Sequence, residues 1–126
     1  MLLLDSDILI DIQREHLPAL AWFESLADLP CVPGFVVMEL INAAKHRQQV
    51  QAATLLVGPM RIVWINETDC ERALNDFARY HLSHGLGLLD ALIAACAIAH
   101  AATLCTFNVK HFSIVPGLTI DQPYLR

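Results

Sequence analysis

The stretch Leu2-Leu3-Leu4-Asp5-Ser6-Asp7-Ile8-Leu9-Ile10-Asp11 runs from three leucines straight into acid. An uninterrupted apolar run of this kind reads as a short buried strand, and the run delivers Asp5 at the strand's carboxyl end. That edge is where open α/β sheets place their ligand sites. The remainder of the chain supplies the candidate partners for that carboxylate.

Downstream, the pattern alternates between helix and strand. Residues 8–12 begin a short helix, and Pro18 opens a second, amphipathic one through Trp22, Phe23 and Leu26 that stops at Pro30. Cys31-Val32 with Pro33-Gly34 predicts a brief strand and turn, followed by a helix that carries Glu39 and ends in the cluster Lys45-His46-Arg47. Residues 48–57 are helix-compatible as far as Gly58-Pro59, and residues 61–65 are β-branched and aromatic enough for a strand. Thr68 with Glu71 three residues later resembles a capping box, which predicts a helix over 69–84 with Ala73, Leu74, Phe77 and Tyr80 on its inner stripe. Residues 88–101 are apolar on nearly every face and predict a central helix with Asp90 in its first turn. Residues 103–107 form a further inner strand and 118–120 an edge strand. Strands alternating with helices predict a three-layer α/β/α sandwich around a mainly parallel sheet, with 1–126 as a single domain.

Composition narrows the function classes. Hydrophobic residues make up 56% of the 126 and charged ones 17%, which excludes intrinsic disorder and leaves apolar surface for a protein partner. A net charge of −5 argues against a broadly basic nucleic-acid binder, although a local basic patch is compatible with acids that gather around metal. The longest apolar segment contains Asp90 and His100, so a membrane span is not expected. Cys31, Cys70, Cys96 and Cys105 form no CxxC pair and the first residues lack the basic n-region of a leader, which predicts a reduced, cytoplasmic setting.

Asp5, Glu39 and Asp90 each interrupt an apolar segment near a strand end or a helix start, where an unpaired carboxylate is costly to bury. For any one of them, backbone N–H groups and a helix dipole are sufficient compensation. Three converging acids with no adjacent Lys or Arg need a cation, and oxygen ligands without paired Cys or His favour Mg²⁺ or Mn²⁺ over Zn²⁺. Such a centre points to phosphoryl chemistry.

These residues also resemble a family. Asp5-Ser6-Asp7 is similar to the N-terminal DTN-like signature of PIN domains, Glu39-Leu40 within VVMELINA to their second-acid helix, and Asp90-Ala91-Leu92-Ile93-Ala94-Ala95 to their DALIAA segment. Thr106-Phe107-Asn108-Val109-Lys110-His111-Phe112 resembles the closing segment, most closely in VapC-type toxins of toxin–antitoxin pairs. The resemblance covers the whole chain, and the DALIAA match is its most specific part. It implies a metal-dependent endoribonuclease with Asp5, Glu39 and Asp90 as catalytic residues holding one or two Mg²⁺ or Mn²⁺ ions. It further implies an RNA substrate, a cognate antitoxin and a homodimer.

Asn108 stands where many members carry a fourth acid, and its neutral carbonyl oxygen is a weaker ligand. Asp7 is read as a helix cap before a ligand, while Ser6 and Thr106 either orient Asp5 or cap backbone groups. Asn42 and His46 fall on the helix face of Glu39 at i+3 and i+7. Lys45, Arg47, Lys110 and His111 are the best phosphate contacts, with Arg79, His81 and His84 as a third cluster. Trp22, Phe23, Trp64 and Phe77 read as core or partner-facing aromatics. Two alternatives stay open at this point: a degenerate, non-catalytic PIN-fold binding module, favoured only by Asn108, and a receiver-like domain, disfavoured by the loose placement of Lys110.

Overall fold

The computed structural model describes residues 1–126, folded as one five-stranded sheet flanked by seven helices. In chain order these are β1 (Leu2–Leu4), α1 (Ser6–Gln13), α2 (Leu17–Ser25), β2 (Cys31–Pro33), α3 (Gly34–Ala43), α4 (Arg47–Val57), β3 (Arg61–Val63), α5 (Glu67–His84), α6 (Leu88–Ala99), β4 (Thr103–Cys105), α7 (Val109–Phe112) and β5 (Thr119–Asp121). The strands are ordered β3-β2-β1-β4-β5 and every neighbouring pair is parallel. This is the α/β/α sandwich with a parallel sheet that the alternating pattern predicts.

The central strands explain their own composition. Leu3, Leu4, Val32 and Leu104 have no exposed surface, because helices cover both faces of the sheet. β3 and β5 lie at the sheet's edges and keep exposed positions such as Arg61, Ile62 and Thr119. α6 is apolar all round because it is enclosed: Ala91, Ile93, Ala94, Ala95, Cys96 and Ala97 are all buried. No helix is long and apolar enough to cross a membrane.

Three expectations about the helices are corrected. α5 starts at Glu67, and its capping box is Asn66 with Asp69: Asn66 Oδ1 accepts from the Asp69 N–H at 2.9 Å and Asp69 Oδ2 from the Asn66 N–H at 3.3 Å. The Thr68–Glu71 pair repeats that spacing inside the helix. Leu74 is 64% exposed, because the buried face of α5 runs through Ala73 with Phe77 and Tyr80 packed against the core. α3 ends at Ala43, where Ala44 turns extended, and the Lys45 N–H donates to Gln49 Oε1 at 2.6 Å. His46 therefore precedes α4 instead of continuing the face of Glu39, and both Asn42 and His46 are exposed.

The strand order reverses at β1. The chain first moves to one side through β2 and β3, then returns to β4 and β5 on the other. The carboxyl ends of β1 and β4, Leu4 beside Cys105, are the topological switch point where such sheets bind ligands.

Candidate active site

Asp5 and Thr106 are the residues that follow β1 and β4 at that switch point. Asp5 is 5% exposed; its Oδ1 caps α1 by accepting from the Ser6 N–H at 2.8 Å. Its Oδ2 accepts from the Thr106 hydroxyl at 2.7 Å, and its own N–H donates to the Cys105 carbonyl at 3.0 Å. Thr106 is fully buried, and its Oγ1 accepts from the Asn108 N–H at 3.0 Å. Thr106 thus both orients Asp5 and caps a backbone group.

Asp7 is doubly engaged. Its Oδ1 accepts from the Ile8 N–H and its Oδ2 from the Phe107 N–H, each at 2.8 Å, with the Thr106 hydroxyl at 3.4 Å. The N-cap of α1 is Asp5, and Asp7, expected as the cap, lies in the first turn, where one oxygen satisfies the Ile8 N–H and the other ties the start of α1 to the loop after β4. This occupancy makes Asp7 an anchor for that loop.

Negative charge accumulates around Asp5. Burial, followed by the neighbouring Asp7 and then Glu39, pushes its carboxyl up to about 7 against the bonds from Thr106 and Ser6. Burial also raises Asp7, opposed by the Phe107 and Ile8 amides and by the Arg126 charge. On α3, Glu39 Oε1 is buried and has no hydrogen-bond partner. Asp90, in the first turn of α6, accepts from the Gly87 N–H at 3.1 Å, and its Oδ2 lies 3.9 Å from His111 Nδ1.

The fold therefore joins Asp5, Asp7 and Thr106 directly and sets Glu39 within electrostatic reach. It leaves Asp90 turned to Gly87 and His111. Asn108 contributes its amide to Thr106, while its side chain caps nothing. As oriented, no three Asp, Glu, His or Cys side chains stand close enough to ligate one ion. The residues nevertheless suit a hard divalent cation: an orphaned carboxylate oxygen at Glu39 and a destabilised charge at Asp5 both lack positive compensation, and the donors are oxygens.

The sequence reading gave no role to Asp11, Tyr124 and Arg126, which form a network beside this site. The one local signal was the spacing of Asp7 and Asp11, four apart on one face of α1. Trp64, assigned to core or partner, is 54% exposed; it packs edge-on against Phe35 with centroids 5.4 Å apart. The largest groove, of about 410 Å³, lies between α1, α3 and α4 and is lined by Ile10, Arg14, Leu40 and Ala53 among others, but by none of the acids.

The PIN-domain family profile matches residues 2–118. The chain belongs to the PIN-domain family. This PIN domain is 36% identical over 121 residues to "Ribonuclease VapC10" of Mycobacterium tuberculosis, an alignment covering 94% of the chain and 90% of that relative. It superposes on a toxin–antitoxin complex chain from Klebsiella pneumoniae with a TM-score of 0.79 and 28% identity over 100% of both chains. At 23% identity, a chain of VapBC2 from Rickettsia felis, solved with promoter DNA, shares the fold with a TM-score of 0.77 over 95% of this chain and 96% of that one.

Proposed function

We propose that this PIN domain is a Mg²⁺- or Mn²⁺-dependent endoribonuclease, hydrolysing RNA phosphodiester bonds as the toxin of a type II toxin–antitoxin pair in the cytoplasm. The observation that carries the reading is the buried, unpartnered Glu39 Oε1 within electrostatic reach of an Asp5 that burial, and then the neighbouring Asp7, make hard to ionise. A relative that is a ribonuclease and a toxin–antitoxin complex of the same shape support it.

In this reading Asp5, Glu39 and Asp90 hold the cation, and Asn108 adds a weaker carbonyl ligand. Bound there, the cation supplies charge neutralisation at the scissile phosphate and a more acidic water. Thr106 and the Ser6 amide keep Asp5 aimed, and Asp7 holds the loop that carries Thr106. Lys45, Arg47, Lys110 and His111 contact flanking phosphates. Apolar surface for a partner is present on α3 and α4, where Met38, Ile41 and Leu55 are exposed, and the groove that α1 shares with those helices is lined by Ile10, Leu40 and Ala53. We assign the cognate antitoxin to this side, on a homodimeric toxin.

The test is cleavage of total RNA by the purified protein with Mg²⁺ or Mn²⁺. Chelator abolishes cleavage, and Asp5→Asn and Asp90→Asn each lower it by at least about 100-fold, the scale of losing a principal charge-stabilising group. Undiminished cleavage by both variants would falsify the catalytic assignment.

A further inference from the structure

Asp11 is an acid that the proposed chemistry does not use, yet it is only 7% exposed. A carboxylate that deep costs several kcal/mol unless paired and hydrogen-bonded. Its partners all come from the segment after β5. The Tyr124 hydroxyl donates to Asp11 Oδ2 at 2.8 Å, Arg126 Nη2 donates to Oδ1 at 3.2 Å, and Arg126 Nε lies 3.2 Å from Oδ2. The guanidinium thus grips the carboxylate with two nitrogens, the geometry in which an Arg–carboxylate pair is most directional.

The same two side chains enclose Phe107. The Tyr124 ring meets it edge-on with centroids 5.0 Å apart, and the Arg126 guanidinium carbon sits 5.1 Å from its ring centroid. Tyr124 is held in turn by His16 and Trp22, each with its ring centroid 6.0 Å away. Phe107 is therefore clamped between a residue anchored to α1 and a cation anchored to the same carboxylate. Its N–H is the group that binds Asp7 Oδ2, and the residue before it is the Thr106 that binds Asp5.

We propose that Tyr124 and Arg126 are positioning residues for the site acids: by clamping Asp11 and Phe107 they fix the Thr106-Phe107 loop, and through it the rotamers of Asp5 and Asp7. Asp7 and Asp11 lie one helical turn apart on α1, so a single helix face is tied both to the loop and to the strap that covers it. Loss of Arg126 leaves the buried Asp11 carboxylate without its counter-charge, held by the Tyr124 hydroxyl alone, and frees one face of Phe107. Loss of the Tyr124 hydroxyl removes one donor and leaves the ring stack in place.

The inference rests on the metal-dependent ribonuclease reading for its Mn²⁺-binding and kinetic arms; the exchange arm is independent of it. The experiment compares wild type, Tyr124→Phe, Arg126→Lys and Arg126→Ala by amide hydrogen exchange at Phe107, by calorimetric Mn²⁺ affinity, and by kcat and KM for RNA cleavage. Arg126→Ala is expected to lower Phe107 amide protection at least 10-fold, weaken Mn²⁺ binding about 10-fold, and reduce kcat about 10-fold with KM within twofold. Arg126→Lys recovers part of each loss, and Tyr124→Phe shows a smaller loss of the same kind. Unchanged Phe107 protection in a folded Arg126→Ala protein overturns the proposal. So does reduced protection with unchanged Mn²⁺ affinity and kcat. A wild type that neither cleaves RNA nor binds Mn²⁺ removes the ribonuclease reading instead, and the exchange data then decide the clamp alone. Should Arg126→Ala not fold, Tyr124→Phe and Arg126→Lys carry the same comparison.

Discussion

The hydroxyl of Thr106 donates to Asp5 Oδ2 at 2.7 Å, joining the ends of β4 and β1 across 101 residues of sequence. Thr106 is fully buried and also accepts from the Asn108 amide, so replacing its hydroxyl with a methyl strands two polar groups at once. Thr106→Val keeps the shape and loses both bonds, with an expected cost of about 1–3 kcal/mol for the unsatisfied groups. Thr106→Ser keeps the bonds and loses a methyl, for about 1 kcal/mol. Denaturant unfolding should rank them in that order, and cleavage should fall about 10-fold in the valine variant while the serine variant stays near wild type.

Asp5 makes metal-free stability depend on pH. Its carboxyl is pushed up to about 7 in the fold, against 3.8 when free, so between those values the folded chain holds a proton that the unfolded chain has released. The contribution is fully present below about pH 4 and is lost as pH rises through about 7, at no more than about 1.4 kcal/mol per pH unit. In chelator, the melting temperature should fall over that window, beyond the trend of an Asp5→Asn control, and level off above it. Adding Mn²⁺ at pH 7.5 should raise the melting temperature of wild type and leave Asp5→Asn nearly unchanged.

The sandwich was legible because its evidence is local. Leu2-Leu3-Leu4 and Thr103-Leu104-Cys105 are continuous apolar triplets, as strands covered on both faces must be, and α6 advertises its enclosure by lacking a polar face. The position of Asp5 was legible too, buried at the carboxyl end of such a strand and at the start of α1. What sequence could not supply is direction. Asp7 satisfies a free N–H in the first turn of α1, whose N-cap is Asp5, and also reaches Phe107, a partner 100 residues away; nothing near Asp7 encodes that bond. The Tyr124–Asp11 bond spans 113 residues and is invisible for the same reason. The misplaced cap on α5 is a different failure: Asn66–Asp69 and Thr68–Glu71 carry the same spacing two residues apart, and only the path of the chain after β3 selects the first.

The four cysteines should divide one against three. Cys70 is exposed on α5, whereas Cys31, Cys96 and Cys105 are buried. Burial pushes the Cys96 thiol up to about 11 and that of Cys105 up to about 12, which suppresses the thiolate that reacts. An Ellman titration of the native protein should therefore report one fast thiol and reach four only in denaturant. More than one fast thiol in native buffer would mean that β2, α6 or β4 opens far more readily than its burial implies.

Gly34 is the position where a single methyl should do the most damage. It opens α3 at the end of β2, and a Cβ built there would come within 2.2 Å of Trp64 Cη2 and 2.3 Å of Cζ2. No backbone strain is involved; the missing side chain simply leaves the place that the indole fills. Gly34→Ala must displace Trp64, which is held by the edge-on contact with Phe35 and by a chain fixed where the His100 Nε2–H donates to the Trp64 carbonyl at 2.8 Å. Overpacking of this kind costs about 1–3 kcal/mol. Trp64→Ala alone should cost less than a buried tryptophan, because half of its surface is already exposed. The two together should be strongly non-additive: with the indole gone, the alanine at 34 no longer meets the ring that it would have to displace. A double-mutant cycle by chemical denaturation measures this directly, and additive losses would show that Gly34 is required for some reason other than the seat of Trp64.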